Sequence, residues 1–278
     1  MIDVAKGWKG WVPTVTMRVI DERQQRIVEE LQRCGACTYH ELAALLGVST
    51  MTVRRDVDRL AEAGEAIKTL GGVQKAHAPL NLYESPILSR LSDRRQEKRA
   101  IARKAMELVA PGQTLFLDGG TTCVELARAL ASEGQGLVVI TNSALVCMEL
   151  GRSRHIVTHG IGGQFDSDSL SFVGPASEEW AGGFFVDLAM VSTKGFVPAE
   201  GTFESSVSNL RVKRIVAEHA TRLALLVDHS KFGQRALCKV LDRSQIGTVV
   251  TDDRTGEDDL AALRRDGKQV LVAAVAER

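Results

Sequence analysis

The chain has 278 residues, of which 44% are hydrophobic and 25% are charged, with 35 basic and 35 acidic side chains. A chain of this length buries substantial cores and is ordinary for a soluble protein of two domains. A formal net charge of zero argues against nonspecific coating of polyanions such as DNA by this protein. It is compatible with a local positively charged surface that binds DNA. No apolar run approaches the ~20 residues that span a bilayer, and the N-terminus lacks an apolar signal segment, so we expect a cytoplasmic protein without membrane contact.

Residues 1–16 contain Trp8 and Trp11 among glycines and lysines and show neither helical nor strand periodicity. Met17 stands immediately before the first helical pattern. We therefore predict that residues 1–16 are a disordered or misassigned extension, and one hypothesis is that Met17, not Met1, is the native start. N-terminal mass spectrometry of the native protein distinguishes the two starts.

The segment Glu22 to Cys34 carries Ile27, Val28 and Leu31 at helical spacing, which predicts the first helix of a small core. Five scattered cysteines do not suggest a disulfide scaffold.

Cys34, Cys37 and His40 offer three soft ligands, but a structural zinc site needs a fourth. We find no fourth ligand, so we predict no metal site and interpret the stretch from Cys34 to Cys37 as a turn between helices.

Next comes a capping box, in which the Thr38 hydroxyl and the Glu41 carboxylate satisfy amide donors at a helix start. A short helix is predicted from Glu41 to Leu46. Gly47 then permits the positive φ of a sharp turn. These features predict the first helix and the turn of a helix-turn-helix.

Ser49 is a second N-cap, and the helix that it opens is predicted to run to about Ala63. Val53, Val57 and Leu60 cluster on one face of this helix and are expected to face the core. The opposite face carries Met51, Thr52, Arg55, Asp58 and Arg59. A solvated charged face is the alternative interpretation, but the capping box, the turn and the helix together favour DNA recognition.

A guanidinium fork pairs bidentately with guanine, and Arg55 is best placed to read a base edge. Thr52 suits a thymine methyl, whereas Arg54 and Arg59 suit phosphate contacts. Two β-prone runs from Ala66 to Lys75 surround glycine and predict a hairpin wing that brings two lysines to the DNA backbone. The predicted DNA-binding residues are Ser49, Met51, Thr52, Arg54, Arg55, Arg59, Lys68 and Lys75, in a winged helix-turn-helix domain at residues 17–75.

Residues 76–93 include Pro79 and Pro86 and several serines, which is typical of a linker between domains. Helical periodicity resumes from Arg94 to Ala110, where basic residues accompany an apolar stripe. A DNA-backbone contact is one interpretation of these charges. We favour a solvated face on a helix that packs against the second domain.

From Pro111 onward, short apolar strands alternate with helices, which predicts an α/β domain with a largely parallel sheet at residues 94–278. The predicted strands are Thr114–Leu117, Val138–Ile140, Ile156–Thr158, Leu188–Val191, Leu223–Val227, Thr248–Thr251 and Val270–Val275. The predicted helices include Val124–Ala131, Leu145–Leu150, Arg211–His219 and Asp258–Arg265.

Glycine and polar residues collect where these strands end, and ligands of open α/β sheets bind at the carboxyl ends of strands. The segments are 118–122 (DGGTT), 141–143 (TNS), 160–163 (GIGG) and 228–231 (DHSK). Backbone amides of glycines at a helix start attract an anion, and the carboxylates accept hydrogen bonds from hydroxyl groups. Each segment alone is ordinary turn chemistry, but together they predict a pocket for a phosphorylated sugar or polyol.

These motifs together, with TVRRDV, the LGGV wing, the EKRAIA helix and DHSKFG, resemble bacterial transcriptional regulators of the DeoR family over nearly the whole chain from Met17. The resemblance implies a repressor of sugar-metabolism genes. It also implies a C-terminal domain similar to ribose-5-phosphate isomerase and coenzyme A transferase, which binds a phosphorylated effector. Between Gly195 and Lys213 the sequence lacks the family's acidic-alanine element, so the identity of the effector does not follow from the resemblance.

By that similarity, residues 118–122 hold the phosphate or neighbouring hydroxyls, with Lys231 as a second anchor. Together with the strand-end segments, the predicted effector-binding residues are Asp118, Gly119, Gly120, Thr121, Thr122, Thr141, Asn142, Gly162, Gly163, Lys194, Asp228 and Lys231. No cofactor is expected.

An enzyme is the main alternative, a sugar-phosphate isomerase fused to a DNA-binding module. Its base and its enediolate-stabilising cation would come from Asp187, Glu204 and Lys194. We predict no enzyme, because similarity of fold does not carry chemistry. A nucleotide cofactor such as NAD is a third reading that rests only on glycines.

The predicted mechanism places two winged helices of a dimer, or of dimers within a tetramer, on repeated operator half-sites. Effector binding shifts the relative placement of the two DNA-binding heads, which requires different affinities for the two arrangements.

Overall fold

The computed structural model describes residues 22–34, 36–63, 65–69, 72–75, 86–133 and 136–276. The chain divides into two compact units between His77 and Ala78, inside the predicted linker at residues 76–93. The predictions for residues 1–16 and for a start at Met17 lie outside the described residues. Among the described residues, no helix has the length and apolarity needed to cross a membrane.

The described residues of the first unit form three helices and a three-stranded antiparallel sheet in the order β1-β3-β2. Its elements are α1 (Glu22–Cys34), β1 (Ala36–Thr38), α2 (Tyr39–Leu46), α3 (Thr50–Glu62), β2 (Ala66–Thr69) and β3 (Gly72–Lys75).

Strand β1 corrects our interpretation of the stretch before Thr38 as a turn between helices. Cys37 pairs with Val73, and Thr38 pairs with Gly72. A Cβ at Gly72 would lie 2.4 Å from the Cys37 carbonyl oxygen, so this close approach requires glycine. The wing hairpin thus gains a third strand, which attaches it to the start of α2.

Predicted helix-start chemistry is present at both helices of the helix-turn-helix. The Thr38 hydroxyl accepts the Glu41 amide, and the Glu41 carboxylate accepts the Thr38 amide. Gly47 has a φ of +66°, and the Ser49 hydroxyl accepts the Thr52 amide. The turn geometry therefore follows from local hydrogen bonds.

The core of the first unit lies between α1, α3 and the sheet, and it buries Ile27, Leu31, Val53, Val57 and Leu60. One charged pair accompanies these side chains. The Arg23 guanidinium donates to both oxygens of the buried Asp56 carboxylate, at 2.5 and 3.1 Å. This bidentate pair joins α1 to α3 and leaves the opposite face of α3 exposed.

The second unit contains a seven-stranded parallel sheet in the order β15-β14-β12-β9-β4-β5-β6. Its strands are β4 (Thr114–Leu117), β5 (Leu137–Thr141), β6 (Ile156–Gly160), β9 (Val186–Val191), β12 (Ala220–Leu226), β14 (Thr248–Asp252) and β15 (Gln269–Ala273). The helices are α4 (Ile87–Arg90), α5 (Arg95–Ala105), α6 (Thr121–Glu133), α7 (Ala144–Leu150), α8 (Pro175–Gly182), α9 (Val207–Glu218) and α10 (Glu257–Arg265).

Every predicted strand lies in this sheet, so the α/β prediction is confirmed. The side chains of β4 alternate between the two faces of the sheet: Leu115 and Leu117 face one apolar cluster and Phe116 faces the other. This explains why β4 lies in the interior of the sheet. A strand buried on both faces needs apolar residues at every position.

Two small antiparallel sheets were not predicted. They are formed by β7 (Gln164–Asp166) with β8 (Ser171–Val173), and by β10 (Gly195–Val197), β11 (Gly201–Glu204) and β13 (Cys238–Asp242). These strands are only three to five residues long. Such short runs leave little periodicity for a sequence pattern to reveal.

Two boundaries near the linker differ from the prediction. The basic helix ends at Ala105, and a 3-10 turn at Met106–Leu108 follows. Part of the predicted linker is structured, since α4 is helical and the Ile87 amide donates to the Asp168 carbonyl at 2.7 Å. Residues 86–93 therefore belong with the second unit.

Removing the Thr38 hydroxyl is expected to destabilise the start of α2 by about 1 kcal/mol, because the Glu41 amide loses its acceptor and the Glu41 carboxylate loses the hydroxyl donor. Thr38→Ala should raise hydrogen-exchange rates of the α2 amides about fivefold. His40→Ala, on an exposed position of the same helix, is the matched control and should leave those rates unchanged. Equal rates in Thr38→Ala and the wild type would contradict the role of the capping box.

Candidate functional site

A cavity opens at the carboxyl ends of β4, β9 and β12, where the sequence predicted a pocket. Of the predicted effector residues, it brings together Asp118, Gly119, Gly120, Thr121, Thr122, Lys194, Asp228 and Lys231. Because α6 begins at Thr121, the positive end of its dipole faces the cavity. The cavity thus combines a helix start, cationic side chains and carboxylates.

Glycine is required at two positions beside the helix start. A Cβ at Gly119 would lie 2.5 Å from the Ser171 hydroxyl oxygen, and one at Gly120 would lie 1.7 Å from the Ser192 hydroxyl oxygen. Serine side chains therefore occupy the space that a larger residue would need. The cavity floor is packed closely against the backbone that precedes α6.

A buried ion cluster lies beneath this loop. The Lys213 ammonium contacts the Asp118 carboxylate at 3.2 Å and forms a second ion pair with the Glu204 carboxylate. It also donates to the Ser192 carbonyl at 2.9 Å. Ser192 in turn donates its amide and its hydroxyl to Asp118, at 3.1 and 2.8 Å. All three charged side chains are at least 90% buried, so each depends on the others for compensation.

Lys98 is the second buried cation in the cavity wall, with only 4% of its surface exposed. Burial lowers the pKa of its ammonium to about 8, although the nearby Asp93 and Asp228 carboxylates oppose this shift. Its Nζ donates to the Arg90 carbonyl at 2.8 Å, at the end of α4. This hydrogen bond connects the cavity to the segment that follows the linker.

Four predicted effector residues do not line the cavity, and their contacts explain why. Thr141 accepts the Ser143 amide, and the Asn142 side chain donates to the Phe172 carbonyl. Gly162 accepts the Ser177 hydroxyl, and a Cβ at Gly163 would lie 2.1 Å from that same hydroxyl. Thr141 therefore supports the loop before α7, Asn142 binds strand β8, and Gly162 and Gly163 pack against the start of α8.

The sequence analysis missed several residues that line the cavity. Lys98 was interpreted as part of a solvated face, but it lies three residues before Ile101 and seven before Ala105, on the buried stripe. That spacing is the signal that could have identified it. The other missed polar residues come from segments without a local motif, and they are Arg90, Asp93, Ser169, Ser171, Ser192, Thr193 and Lys213.

The three residues of the isomerase alternative do not meet. Glu204 and Lys194 line the cavity, whereas Asp187 lies near the amino end of β9 and accepts the Thr114 amide at 2.8 Å. Thr114 begins β4, and the cavity lies beyond the opposite end of that strand. Asp187, one of the two nominated carboxylates, is therefore separated from Lys194 by the length of the strands, whereas Glu204 shares the cavity with Lys194.

The predicted DNA-binding face of α3 is exposed, including Met51 at 60% exposure. Arg55 and Arg59 lie on this surface, whereas the Arg54 guanidinium stacks 5.0 Å from the Tyr39 ring centre. That stack restrains Arg54 against α2.

Three further predicted DNA-binding residues, Ser49, Thr52 and Lys68, have side chains that bind other groups of the first unit. The hydroxyls of Ser49 and Thr52 lie 2.9 Å apart, and the Lys68 ammonium lies 2.7 Å from the Asp58 carboxylate. The side chain of Lys75 lies outside the described residues. Cys37 is buried in the core of this unit, and no group of three metal-ligating side chains occurs among the described residues.

Replacing the buried Lys213 ammonium should be strongly destabilising, because two buried carboxylates lose their cation. We expect Lys213→Met to lower the free energy of unfolding of the second unit by about 3 to 5 kcal/mol. Urea unfolding of the full chain measures this loss. Lys239→Met removes an exposed lysine that pairs with Asp242 and should change stability by less than about 1 kcal/mol. Equal effects of the two variants would contradict the compensation by Lys213.

A comparison with solved structures found ribose 5 phosphate isomerase A from Neisseria gonorrhoeae. It has a TM-score of 0.37 and 18% identity, and the match covers 55% of this chain and 57% of that chain. The match thus spans little more than half of either protein.

Curated relatives match over most of their length. The glycerol-3-phosphate regulon repressor of Escherichia coli is 30% identical, over 83% of this chain and 90% of that protein. The transcriptional repressor AccR of Agrobacterium fabrum is 31% identical, over 84% and 90% respectively. These relatives are regulators, which favours regulation over enzymatic activity.

Two family models match the two units. The DeoR-like helix-turn-helix domain matches residues 23–78, and the DeoR C terminal sensor domain matches residues 93–253. The second match alone covers more than half of the chain. The chain therefore belongs to the DeoR family of DNA-binding transcriptional regulators, with an N-terminal helix-turn-helix domain and a C-terminal sensor domain.

Proposed function

We propose that this regulator represses genes of carbohydrate metabolism and that its sensor domain binds a phosphorylated sugar or polyol in the carboxyl-edge cavity. The observation that carries the proposal is the meeting of the α6 start with cations and carboxylates in one cavity. The curated relatives support it, since one of them is a repressor of the glycerol-3-phosphate regulon.

The phosphate subsite in this proposal lies at residues 119–122, where amides at the start of α6 point outward. Lys98 and Lys231 supply positive charge to the same cavity, and they are close enough for Lys231 to lower the pKa of Lys98. Neighbouring cations repel each other until an anion arrives. Burial is the main cause of the lowered pKa of Lys98, and a bound phosphate would favour the protonated form that burial disfavours in the free protein.

We assign the hydroxyl groups of the ligand to the carboxylates of Asp118 and Asp228. Asp228 lines the cavity and uses Oδ1 to accept the amide and the hydroxyl of Ser230. Asp118 uses Oδ2 for Ser192 and Lys213. Each carboxylate has a second oxygen, and sugar hydroxyls are suitable donors to such oxygens. This division of charge favours a ligand with one anionic end and one hydroxylated end.

Coupling to DNA binding is proposed to run through Lys98. An anion that attracts the Lys98 ammonium competes with the Arg90 carbonyl, to which this ammonium donates in the structure. The segment at residues 86–93 then has different stability with and without ligand. Since the DNA-binding domain of each protomer is joined to this segment, effector binding changes the placement of the two heads in a homo-oligomer on its operator.

A panel of sugar and polyol phosphates tests the ligand proposal directly. A phosphorylated ligand at ~100 times its dissociation constant should add about 2.7 kcal/mol to stability and raise the melting temperature. The unphosphorylated compounds should give no shift at the same concentration. Lys231→Met should reduce the shift, whereas Lys239→Met, outside the cavity, should preserve it. A response to every unphosphorylated counterpart would contradict the phosphate subsite.

The affinity for that phosphate should depend on pH through Lys98. Its pKa is about 8 in the free protein, and a bound anion favours the protonated form and raises this pKa. Affinity is therefore expected to fall as pH rises above about 8, by up to about tenfold per pH unit, because binding then requires uptake of a proton. Calorimetric titration at pH 7.5 and 9.5 measures the change. Lys98→Met should remove the dependence, and a slope that persists in this variant would assign it to another group.

Base reading by Arg55 is testable with operator variants. Arg55→Ala should lose about 1 to 3 kcal/mol of discrimination at one base pair, because its guanidinium is proposed to pair with guanine. Arg59→Ala is the matched control, and we expect it to weaken all sequences equally and to lower the salt slope by about one. Fluorescence anisotropy across a set of single-base operator variants provides both values. Unchanged discrimination in Arg55→Ala would remove the assignment.

A further inference from the structure

Lys98 differs from the other lysines of the cavity in its surroundings. Its side chain is buried, whereas Lys194 and Lys231 are partly exposed. Lys213 is also buried, but its ammonium is paired with two carboxylates. The Lys98 Nζ donates to the neutral Arg90 carbonyl at 2.8 Å, and no carboxylate among the described residues forms an ion pair with it. Lys98 is therefore the cavity lysine whose charge is least compensated by a direct partner.

The charges near Lys98 come from two neighbouring segments. Arg90 and Asp93 belong to the segment that follows the linker, and Asp228 and Lys231 belong to the turn after β12. Burial is the largest cause of the lowered pKa of Lys98, and the two cations lower it further while the two carboxylates oppose the shift. At a pKa of about 8, the neutral fraction of Nζ at pH 7 is more than about a hundredfold larger than in an ordinary lysine. A neutral amine has a lone pair and is a nucleophile.

This environment suits a reaction of the amine with a carbonyl group. Lysines that are desolvated and lie beside other cations form imines with carbonyl compounds. An aldose or a ketose has a carbonyl carbon in its open-chain form, whereas a polyol has none. Lys98 lines the same cavity as the start of α6, where the phosphate subsite is proposed. A sugar held there by its phosphate is thereby confined with Nζ in one cavity, which raises the effective concentration of the carbonyl carbon.

We propose that Lys98 binds the effector covalently, as a reversible imine between its Nζ and the carbonyl carbon of an open-chain aldose or ketose phosphate. The proposal rests on the proposed function and deepens it, because it restricts the ligand to a phosphorylated sugar that has a carbonyl group. Hydrolysis of the imine returns the same sugar phosphate and the lysine. The bond therefore serves to hold the ligand and produces no new compound.

The reaction is balanced without an oxidant or a reductant. The Nζ lone pair forms a bond to the carbonyl carbon, the carbonyl oxygen leaves as water, and a C=N bond remains. Both hydrogens of that water come from the neutral amine. Asp228 is assigned to transfer them, because its carboxylate lines the cavity and lies close enough to Lys98 to act on its pKa. An imine nitrogen carries at most one hydrogen, so Nζ has fewer donors for the Arg90 carbonyl, and binding changes the restraint on residues 86–93.

Reductive trapping on the wild-type full chain tests the imine. Sodium cyanoborohydride converts an imine to a stable secondary amine, and peptide mass spectrometry then locates the modified lysine. The probes are glyceraldehyde 3-phosphate, ribose 5-phosphate and fructose 6-phosphate. Glycerol 3-phosphate and ribitol 5-phosphate have no carbonyl group and should give no adduct.

At least one carbonyl probe should modify Lys98 about tenfold or more faster than Lys104, a lysine of the same helix that pairs with Glu107, because more of the Lys98 amine is neutral. Ribose should modify Lys98 about tenfold or more slowly than ribose 5-phosphate, because it lacks the group that confines it. Equal rates at the two lysines, or no adduct at Lys98 with any carbonyl probe, would overturn the proposal.

Two variants test the assignment to Lys98. Lys98→Arg keeps the positive charge but has no amine that forms an imine, so the adduct of this peptide should be lost and no other lysine should replace it. Lys104→Arg is the matched control and should leave the trapping rate at Lys98 unchanged. An undiminished total of trapped ligand in Lys98→Arg would overturn the assignment. Because peptide mapping also locates the adduct in the wild type, the test does not depend on the folding of either variant.

Thermal shift separates the failure of this proposal from the failure of the proposed function. A rise in melting temperature with the carbonyl probes, without an adduct at Lys98, would overturn the imine and leave the sugar-phosphate site in place. Neither a rise nor an adduct with any phosphorylated compound would overturn both.

Discussion

Burial of the Lys213 ammonium between Asp118 and Glu204 is the interaction on which the sensor cavity depends. These groups come from α9, the end of β4 and β11, and Lys213 also binds the carbonyl of Ser192 after β9. Charges buried to this degree are tolerated only when each is compensated. The small antiparallel sheet containing β11 is thereby fixed against the carboxyl edge of the parallel sheet, and the cavity obtains a rigid floor.

Because Lys213 is compensated in this way, the cations of the cavity differ in how much positive charge they offer to a ligand. Lys213 is neutralised by two carboxylates and contributes little net charge to a ligand. Lys98 is different, because its pKa is lowered to about 8 and its hydrogen bond goes to a neutral carbonyl. In the proposed site, an anion therefore gains most from Lys98 and Lys231, which form a positively charged end of the cavity together with the start of α6.

The sequence predicted the features that depend on neighbouring residues. The capping box at Thr38, the turn at Gly47 and the apolar strands of the parallel sheet are local patterns, and each was found where it was expected. The ion cluster was not foreseen, because Asp118 and Lys213 lie 95 positions apart and no local pattern relates them. Thr141 and Asn142 show the converse error, since strand-end polar residues also serve the backbone of the next loop.

Two carboxylates were nominated as the base of an isomerase reaction, and the structure places them at different ends of the parallel strands. A general base must be able to accept a proton from the substrate. Glu204 lies in the cavity, but its carboxylate is paired with the buried Lys213 ammonium. Asp187 is bound to the Thr114 amide at the other edge of the sheet. The nominated carboxylates thus serve an ion pair and a backbone amide within this unit, and the curated relatives of the chain are repressors, not isomerases.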